Sequence, residues 1–386
     1  MEKLPLYFDY AATTPVDERV IDVMVKCLGV SGTFGNPASS SHRYGQQARE
    51  AVELARLQVA TLIGARPEQL VWTSGATESN NLAIKGLAQG RQGGHIVTSC
   101  IEHKAVLDTA RQLQDAGFEV TYLKPDGKGL ITPQAVAAAL RPDTFLVSLM
   151  LVNNELGTLN DVERIGEVVR EWGALLHVDC AQAAGKVGID LARWPVDLAS
   201  FSAHKVYGPK GIGALYVGER ARTLLQAQMH GGGHEGGLRS GTLATHQIAA
   251  MGAAFALAGE VQREELDRIR CLRERLLTRL RDISGLLVNG SLEQSIPHTL
   301  SLTFGGDSLD LSELAKTLAF SSTSACNSGS SAPSHVLLAL GHDAYLAGQT
   351  IRLSLGRFTR VSDVDQAVAA IHAALHPAPF WGVARG

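Results

Sequence analysis

Three stretches of the sequence bring together side chains that could do chemistry. In Leu70–Asn81, LVWTSGATESNN, an apolar run meets Thr73-Ser74-Gly75-Ala76-Thr77 and then a helical run from Glu78. Hydroxyls and free backbone N–H groups at a helix start suit a phosphate, although the same residues also serve ordinary helix capping. Asp179 closes the run ALLHVD, and Lys205 closes SFSAHK. Both follow predicted strands of one parallel sheet, and such sheets hold ligands at the carboxyl ends of their strands. A buried salt bridge would also explain the pair. Beside a phosphate site, however, a lysine for a Schiff base and an acid to protonate a ring nitrogen make up the set that pyridoxal phosphate chemistry needs. The third stretch is Ser321–Ser334, SSTSACNSGSSAPS, where nothing can anchor a core and the composition predicts a mobile loop around Cys326.

These groups need a scaffold, and the pattern supplies one of the α/β class. Short β-rich runs alternate with helical stretches from about residue 60 to 220, as in a parallel sheet with crossover helices. Strands are predicted at Leu70–Thr73, His95–Ser99, Glu119–Leu123, Phe145–Val152, Leu175–Val178, Leu198–Phe201 and Ile212–Val217. Helices at Lys104–Ala116 and Val162–Glu171 show apolar residues three and four apart. A long helical stretch from Thr245 to about Ile283 turns from small and apolar to heavily charged, which places a domain boundary near residue 260. Beyond it, strands at Leu286–Val288, Thr299–Phe304 and Ile351–Ser354 and helices at Leu309–Leu318, Ser334–Leu340 and Ser362–Leu375 form a smaller α/β domain.

Composition narrows the function. Of 386 residues 45% are hydrophobic and 19% charged, enough apolar material for a large core and too much for a disordered chain. Lys+Arg 35 against Asp+Glu 38 gives −3, and no basic run could track a phosphate backbone, so nucleic acid is not an expected ligand. No uncharged apolar run approaches the ~20 residues of a membrane span, and MEKLPLYFDYAATT does not read as a secretory signal. Five cysteines without a CxxC pair predict free thiols in a reducing cytoplasm. Cys27 and Cys271 fall in helical patterns and Cys100 and Cys180 at strand ends, where a thiol acts as a buried small hydrophobe. His230 and His234 are separated by three glycines, which breaks the helix that a metal pair at that spacing requires. GPKGIG lacks the spacing of a Walker motif, so neither a metal nor a nucleotide is expected.

Eight segments in order, GATESNNLAIKG, EHKAVLDT, VNNELGT, HVDCAQAAGK, SFSAHKVYGPKGIGALYV, GGGHEGGLRSGT, SSTSACNSGSS and IRLSLGRFT, resemble the successive motifs of cysteine desulfurases of the NifS/IscS type. The resemblance implies a fold type I, class V pyridoxal phosphate enzyme. Its large domain, residues 16–260, would hold a mainly parallel seven-stranded sheet. Residues 1–15 and 261–386 would form the small domain that carries the cysteine loop. By motif, Lys205 would form the Schiff base and move the substrate's Cα proton, Asp179 would pair with the ring nitrogen, and Gln182 would reach the phenolic oxygen. His103 would stack on the ring and assist proton transfer. Ala76, Thr77, Ser202 and His204 would hold the phosphate, joined by Thr242 from the other subunit of a homodimer. Asn154 and Arg352 would receive the substrate carboxylate.

The resemblance also implies the reaction. L-cysteine would become L-alanine while Cys326 takes the sulfur as a persulfide for delivery to an acceptor protein, in iron–sulfur cluster assembly or a thiolation pathway. Ala203, Asn327 and Cys180 depart from the family's usual residues without removing a catalytic group, and the tail from His376 is shorter than in the housekeeping type. Two alternatives remain at this level: another class V enzyme, such as an aminotransferase or selenocysteine lyase, and a non-catalytic scaffold for sulfur acceptors.

Overall fold

The computed structural model describes residues 4–306, 308–322 and 333–376. Its largest sheet has seven strands: β1 (Leu70–Thr73), β2 (His95–Ser99), β3 (Glu119–Leu123), β4 (Thr144–Met150), β5 (Leu175–Asp179), β6 (Leu198–Ser202) and β7 (Gly213–Val217). They lie in the order β1-β7-β6-β5-β4-β2-β3. All share one direction except β7, which is antiparallel to both β6 and β1. The sheet is thus mainly parallel, as the resemblance implies, with β7 the exception that the strand–helix alternation did not mark. The stretch from Ala203 to Ile212 between β6 and β7 holds only a three-residue 3-10 turn, too little for the crossover that parallel strands require.

Side chains two apart along these strands pack on the two faces of the sheet. Leu70, Trp72, Val97, Val147, Leu176 and Ala199 pack into one apolar cluster, and Val71, Ile96, Leu146, Leu175 and Leu198 into another on the opposite face. Helices α1 (Ala76–Ala88) and α2 (Lys104–Asp115) cover the second face. The first face is closed by α3 (Val162–Glu171) and by α4 (Thr245–Leu280), against which the helix Arg43–Leu62 is packed. The sequence pattern did not reveal that last helix. Its contact with α4 is made by small residues: a Cβ on Gly252 would lie 2.5 Å from the Cα of Ala55, so the two backbones touch where a larger residue would separate them.

Helix α4 serves both halves of the chain. Ile248, Met251, Phe255 and Ala258 join the first cluster, while Ile269, Leu272, Leu276 and Leu280 join a separate one with Phe8, Leu300, Leu302, Ile351 and Val364. This second core lies against a four-stranded antiparallel sheet of β8 (Leu286–Asn289), β9 (Thr299–Phe304), β10 (Ser321–Ser322) and β11 (Thr350–Ser354), ordered β10-β11-β9-β8. The helix expected over 309–318 is only Leu311–Ala315. Its flanks are drawn into pairings instead, Ser308–Leu309 with Leu375–His376 and Leu318–Ala319 with Leu6–Tyr7. The N-terminal segment thus docks on the second core, with Phe8 fully buried.

Candidate active site

Because every strand but β7 points the same way, five of them end at one edge and each hands over to a chemical group. β1 leads into the start of α1, β2 into His103, β4 into Asn154, β5 into Asp179 and Gln182, and β6 into Lys205. Leu151 has already left the sheet, unlike the expected strand to Val152, and Asn153 turns the chain there. Its Oδ1 accepts from the N–H groups of Glu155 and Leu156 at 2.9 Å each, and its Nδ2 donates to the Ile101 carbonyl.

These groups line one cavity of about 580 Å³. Ala76, Thr77, His103, Asn154, Asp179, Gln182, Ser202, His204, Lys205 and Arg352 all border it. Thr242 is exposed and borders none of it in the single chain. Cys326 lies outside the described residues. The described residues nearest to it in sequence, Ser322 and Pro333, line a second cavity of about 400 Å³ that shares His103, Asn154 and Arg352 with the first.

Lys205 Nζ donates to the carbonyls of Ala11 (2.5 Å) and Ala12 (2.6 Å). Burial, reinforced by the charge of Arg352, brings its ammonium down to about 8, so a large fraction is neutral amine just above neutrality. Asp179 accepts from Asn80 Nδ2 (2.8 Å) and from the Ala181 N–H (3.0 Å), which fixes both oxygens. His103 caps α2 through Nδ1, which accepts from the Ala105 N–H (3.1 Å), and burial holds its imidazole below the usual range. His204 is brought down to about 4 by burial and then by Lys205, so its ring is neutral, with Nδ1 3.2 Å from Thr13 Oγ1.

Arg352 projects from β11 in the other core. It donates to the Asn154 carbonyl (2.8 Å), Asp9 (2.8 Å) and Ser321 Oγ (2.6 Å), while its buried Nε has no partner among the described residues. Asn154 therefore meets Arg352 through its backbone. Asp9, Asn80 and the carbonyls of Ala11 and Ala12 were not legible in the sequence because each acts through contacts distant in the chain, and Lys186, four residues from Gln182, was missed because no helix predicted there brings the two together. Of the other thiols, Cys180 and Cys27 are buried and Cys100 is half-buried, with burial pushing all three up. Cys271 is exposed, contrary to expectation, because its helix turns that position outward.

The cavity fits a phosphorylated pyridine aldehyde. Gly75 at the N-cap of α1 makes no side-chain capping bond, leaving the first N–H groups of a thirteen-residue helix facing Thr77, Ser202 and a neutral His204, a donor set for a phosphate. An amine and a carboxylate stand on the same walls for the aldehyde and the ring nitrogen.

The family described as Aminotransferase class-V matches residues 6–367. The curated protein "Cysteine desulfurase IscS" of Ectopseudomonas mendocina (strain ymp) is 57% identical over 388 residues, covering 98% of this chain and 96% of that one. The protein of the same name from Stutzerimonas stutzeri (strain A1501) is 55% identical with the same coverage. Among solved structures, a "NIFS-LIKE PROTEIN" superposes with TM-score 0.87 at 36% identity, covering 96% of this chain and 99% of that one. "SspA in complex with cysteine" superposes with TM-score 0.81 at 40% identity, over 92% and 99%. With its motifs in order and its lysine, aspartate and helix start around one cavity, the chain belongs to the class-V aminotransferase family, among its pyridoxal phosphate-dependent cysteine desulfurases of the NifS/IscS type.

Proposed function

We propose that the protein converts L-cysteine to L-alanine and takes the sulfur onto Cys326 as a persulfide. The observation that carries this reading is the pair of joined cavities. One gathers Lys205, Asp179 and the α1 start, and the other is bounded by the residues on either side of the Cys326 segment, with Arg352 and His103 in both.

Bound pyridoxal phosphate supplies the electron sink that weakens bonds at the substrate's Cα and Cβ. Lys205 holds the cofactor and, as neutral amine, takes and returns the Cα proton. Asp179, locked by Asn80 and Ala181, turns its carboxylate oxygens toward the ring nitrogen, and Gln182 faces the phenolic oxygen. Ala76, Thr77, Ser202 and His204 hold the phosphate, with Thr242 of the partner subunit completing the set. His103, neutral and at the junction of the two cavities, moves the thiol proton. Arg352 orients the substrate carboxylate beside Asn154 through two parallel charged hydrogen bonds. The Cys326 thiolate then forms an S–S bond as the substrate's Cβ–Sγ bond breaks. The electron pair left on the carbon fragment takes up a proton, and alanine leaves.

The reading includes a homodimer, for which exposed apolar side chains such as Val30, Phe34, Tyr44, Leu54 and Leu57 are available. It also includes a cytoplasmic location, delivery to an acceptor in iron–sulfur assembly or thiolation, and a division into residues 16–260 and 1–15 with 261–386, which the two apolar cores support. The test is Cys326→Ser mixed with L-cysteine. Alanine and sulfide should fall to background while substrate-dependent spectral changes persist. Alanine formation at the wild-type rate would remove Cys326 from the mechanism.

A further inference from the structure

The turn after β5 carries a third polar side chain that faces away from the cavity. Residues 180–186 wind back on themselves through bonds from the Ala183 N–H to the Cys180 carbonyl (2.9 Å) and from the Lys186 N–H to the Ala183 carbonyl (2.9 Å). Gly185 permits the reversal at φ 72°, and a Cβ there would meet Val206 and Ala258 at 2.9 and 3.0 Å. Lys186 is thereby brought beneath Gln182, and its Nζ donates to Gln182 Oε1 at 2.9 Å. It is only 9% exposed and does not border the cavity. The other end of the amide, Nε2, donates to the Ala11 carbonyl at 2.8 Å, the same oxygen that accepts from Lys205.

A carboxamide has one accepting end and one donating end. With Oε1 engaged by a lysine on the protein side, Gln182 can turn only N–H toward the cavity and the N-terminal segment. We propose that Lys186 is a positioning residue that fixes the Gln182 amide so that it offers a donor, never an acceptor, to the phenolic oxygen of the cofactor and to the carbonyl that holds Lys205. This rests on the assignment of Gln182 to the phenolic oxygen made above. Burial brings the Lys186 ammonium down to about 7, with Lys205 acting in the same direction. In mildly alkaline solution it therefore acts mainly as a neutral N–H donor, which a neutral amide can replace.

The test titrates the visible absorption of the cofactor-loaded enzyme with pH in mildly alkaline solution. A donor to the phenolic oxygen stabilises its anion, so losing it should raise the pH midpoint of the chromophore. Lys186→Met removes the donor and should raise the midpoint by about one unit. Lys186→Gln, whose own amide can donate to Gln182 Oε1, should stay within about 0.3 units of wild type. Lys186→Met in a Gln182→Ala background should add little, since the residue through which it acts is gone. Equal shifts for the Met and Gln variants, or an undiminished Lys186→Met shift without Gln182, would overturn the proposal. Should Lys186→Met fail to fold, Lys186→Gln decides alone, a midpoint raised by a full unit refuting it. Failure of the underlying assignment would look different, since Gln182→Ala alone would then leave the midpoint of the visible band unmoved.

Discussion

Asp179 shows how tightly a single side chain is specified here. Its two oxygens accept from Asn80 and from the Ala181 N–H, so an amide at this position would set N–H against N–H on one side. Asp179→Asn should keep the cofactor attached to Lys205 while kcat falls on the order of a hundredfold, from a few kcal/mol of lost charge stabilisation. Wild-type kcat in that variant would refute its assignment to the ring nitrogen. Next to His103, Glu102 is fully buried and pushed up to about 8 from 4.5. Its Oε1 accepts from Ser99 Oγ and the Met150 N–H, and its Oε2 has no partner among the described residues. The folded chain therefore keeps a proton that the unfolded chain releases above 4.5, and this contribution to stability is lost as pH rises toward and through 8. Glu102→Gln preserves the accepting oxygen and removes the titration. The difference in denaturant midpoint should shift in the variant's favour between pH 5 and pH 8, and a constant difference would show that Glu102 does not titrate in this way.

At the scale of elements, the site is assembled across two cores, and the joint is the segment from Leu6 to Thr14. It pairs with Leu318–Ala319, accepts at the Phe8 carbonyl from the Ser354 N–H (2.7 Å), and binds the His204 carbonyl through the Thr14 N–H (2.9 Å). Within it Asp9 holds Arg352 and accepts from Ser321 Oγ at 2.8 Å. Asp9→Ala should loosen Arg352 and raise KM for L-cysteine about tenfold with a smaller change in kcat, the loss of one charge-assisted bond used in substrate binding. A purely structural role would move Tm and leave KM in place. Much of this architecture could be read in the residues. β1 and β2 fall where their apolar runs fall, because their side chains alternate between the two faces of the sheet. The acid and the lysine follow their strands as a parallel sheet demands. The direction of β7 was legible only in the shortness of the link before it. The helix over 43–62 was hidden by alanines that leave little apolar periodicity. The roles of Asp9 and Asn80 could not be read at all, since a hydrogen bond between residues as far apart as Asp9 and Arg352 leaves no local pattern, while that of Lys186 depends on an irregular turn that brings it back onto Gln182.

For the whole molecule, the reading requires a second chain. Sedimentation should give the mass of two chains, and Thr242→Ala should weaken cofactor retention without altering that mass. A monomer with full cofactor occupancy would refute both statements. The N-terminal segment also sets an order of events. Residues 6–14 are the first of the described site to leave a ribosome, yet their seats on Ser354 and Arg352 are made more than 340 positions later, as in the bond from the Ala11 N–H to Ser354 Oγ. Until β11 exists, the large sheet can fold with Lys205 in place, but the two carbonyls that hold its amine rest only on Gln182 and the His204–Tyr207 stretch, without their seats on Ser354 and Arg352. A nascent chain thus carries its reactive lysine through about 150 further residues before the cradle around it is fully seated, and completion of β11 turns a folded sheet into a finished enzyme.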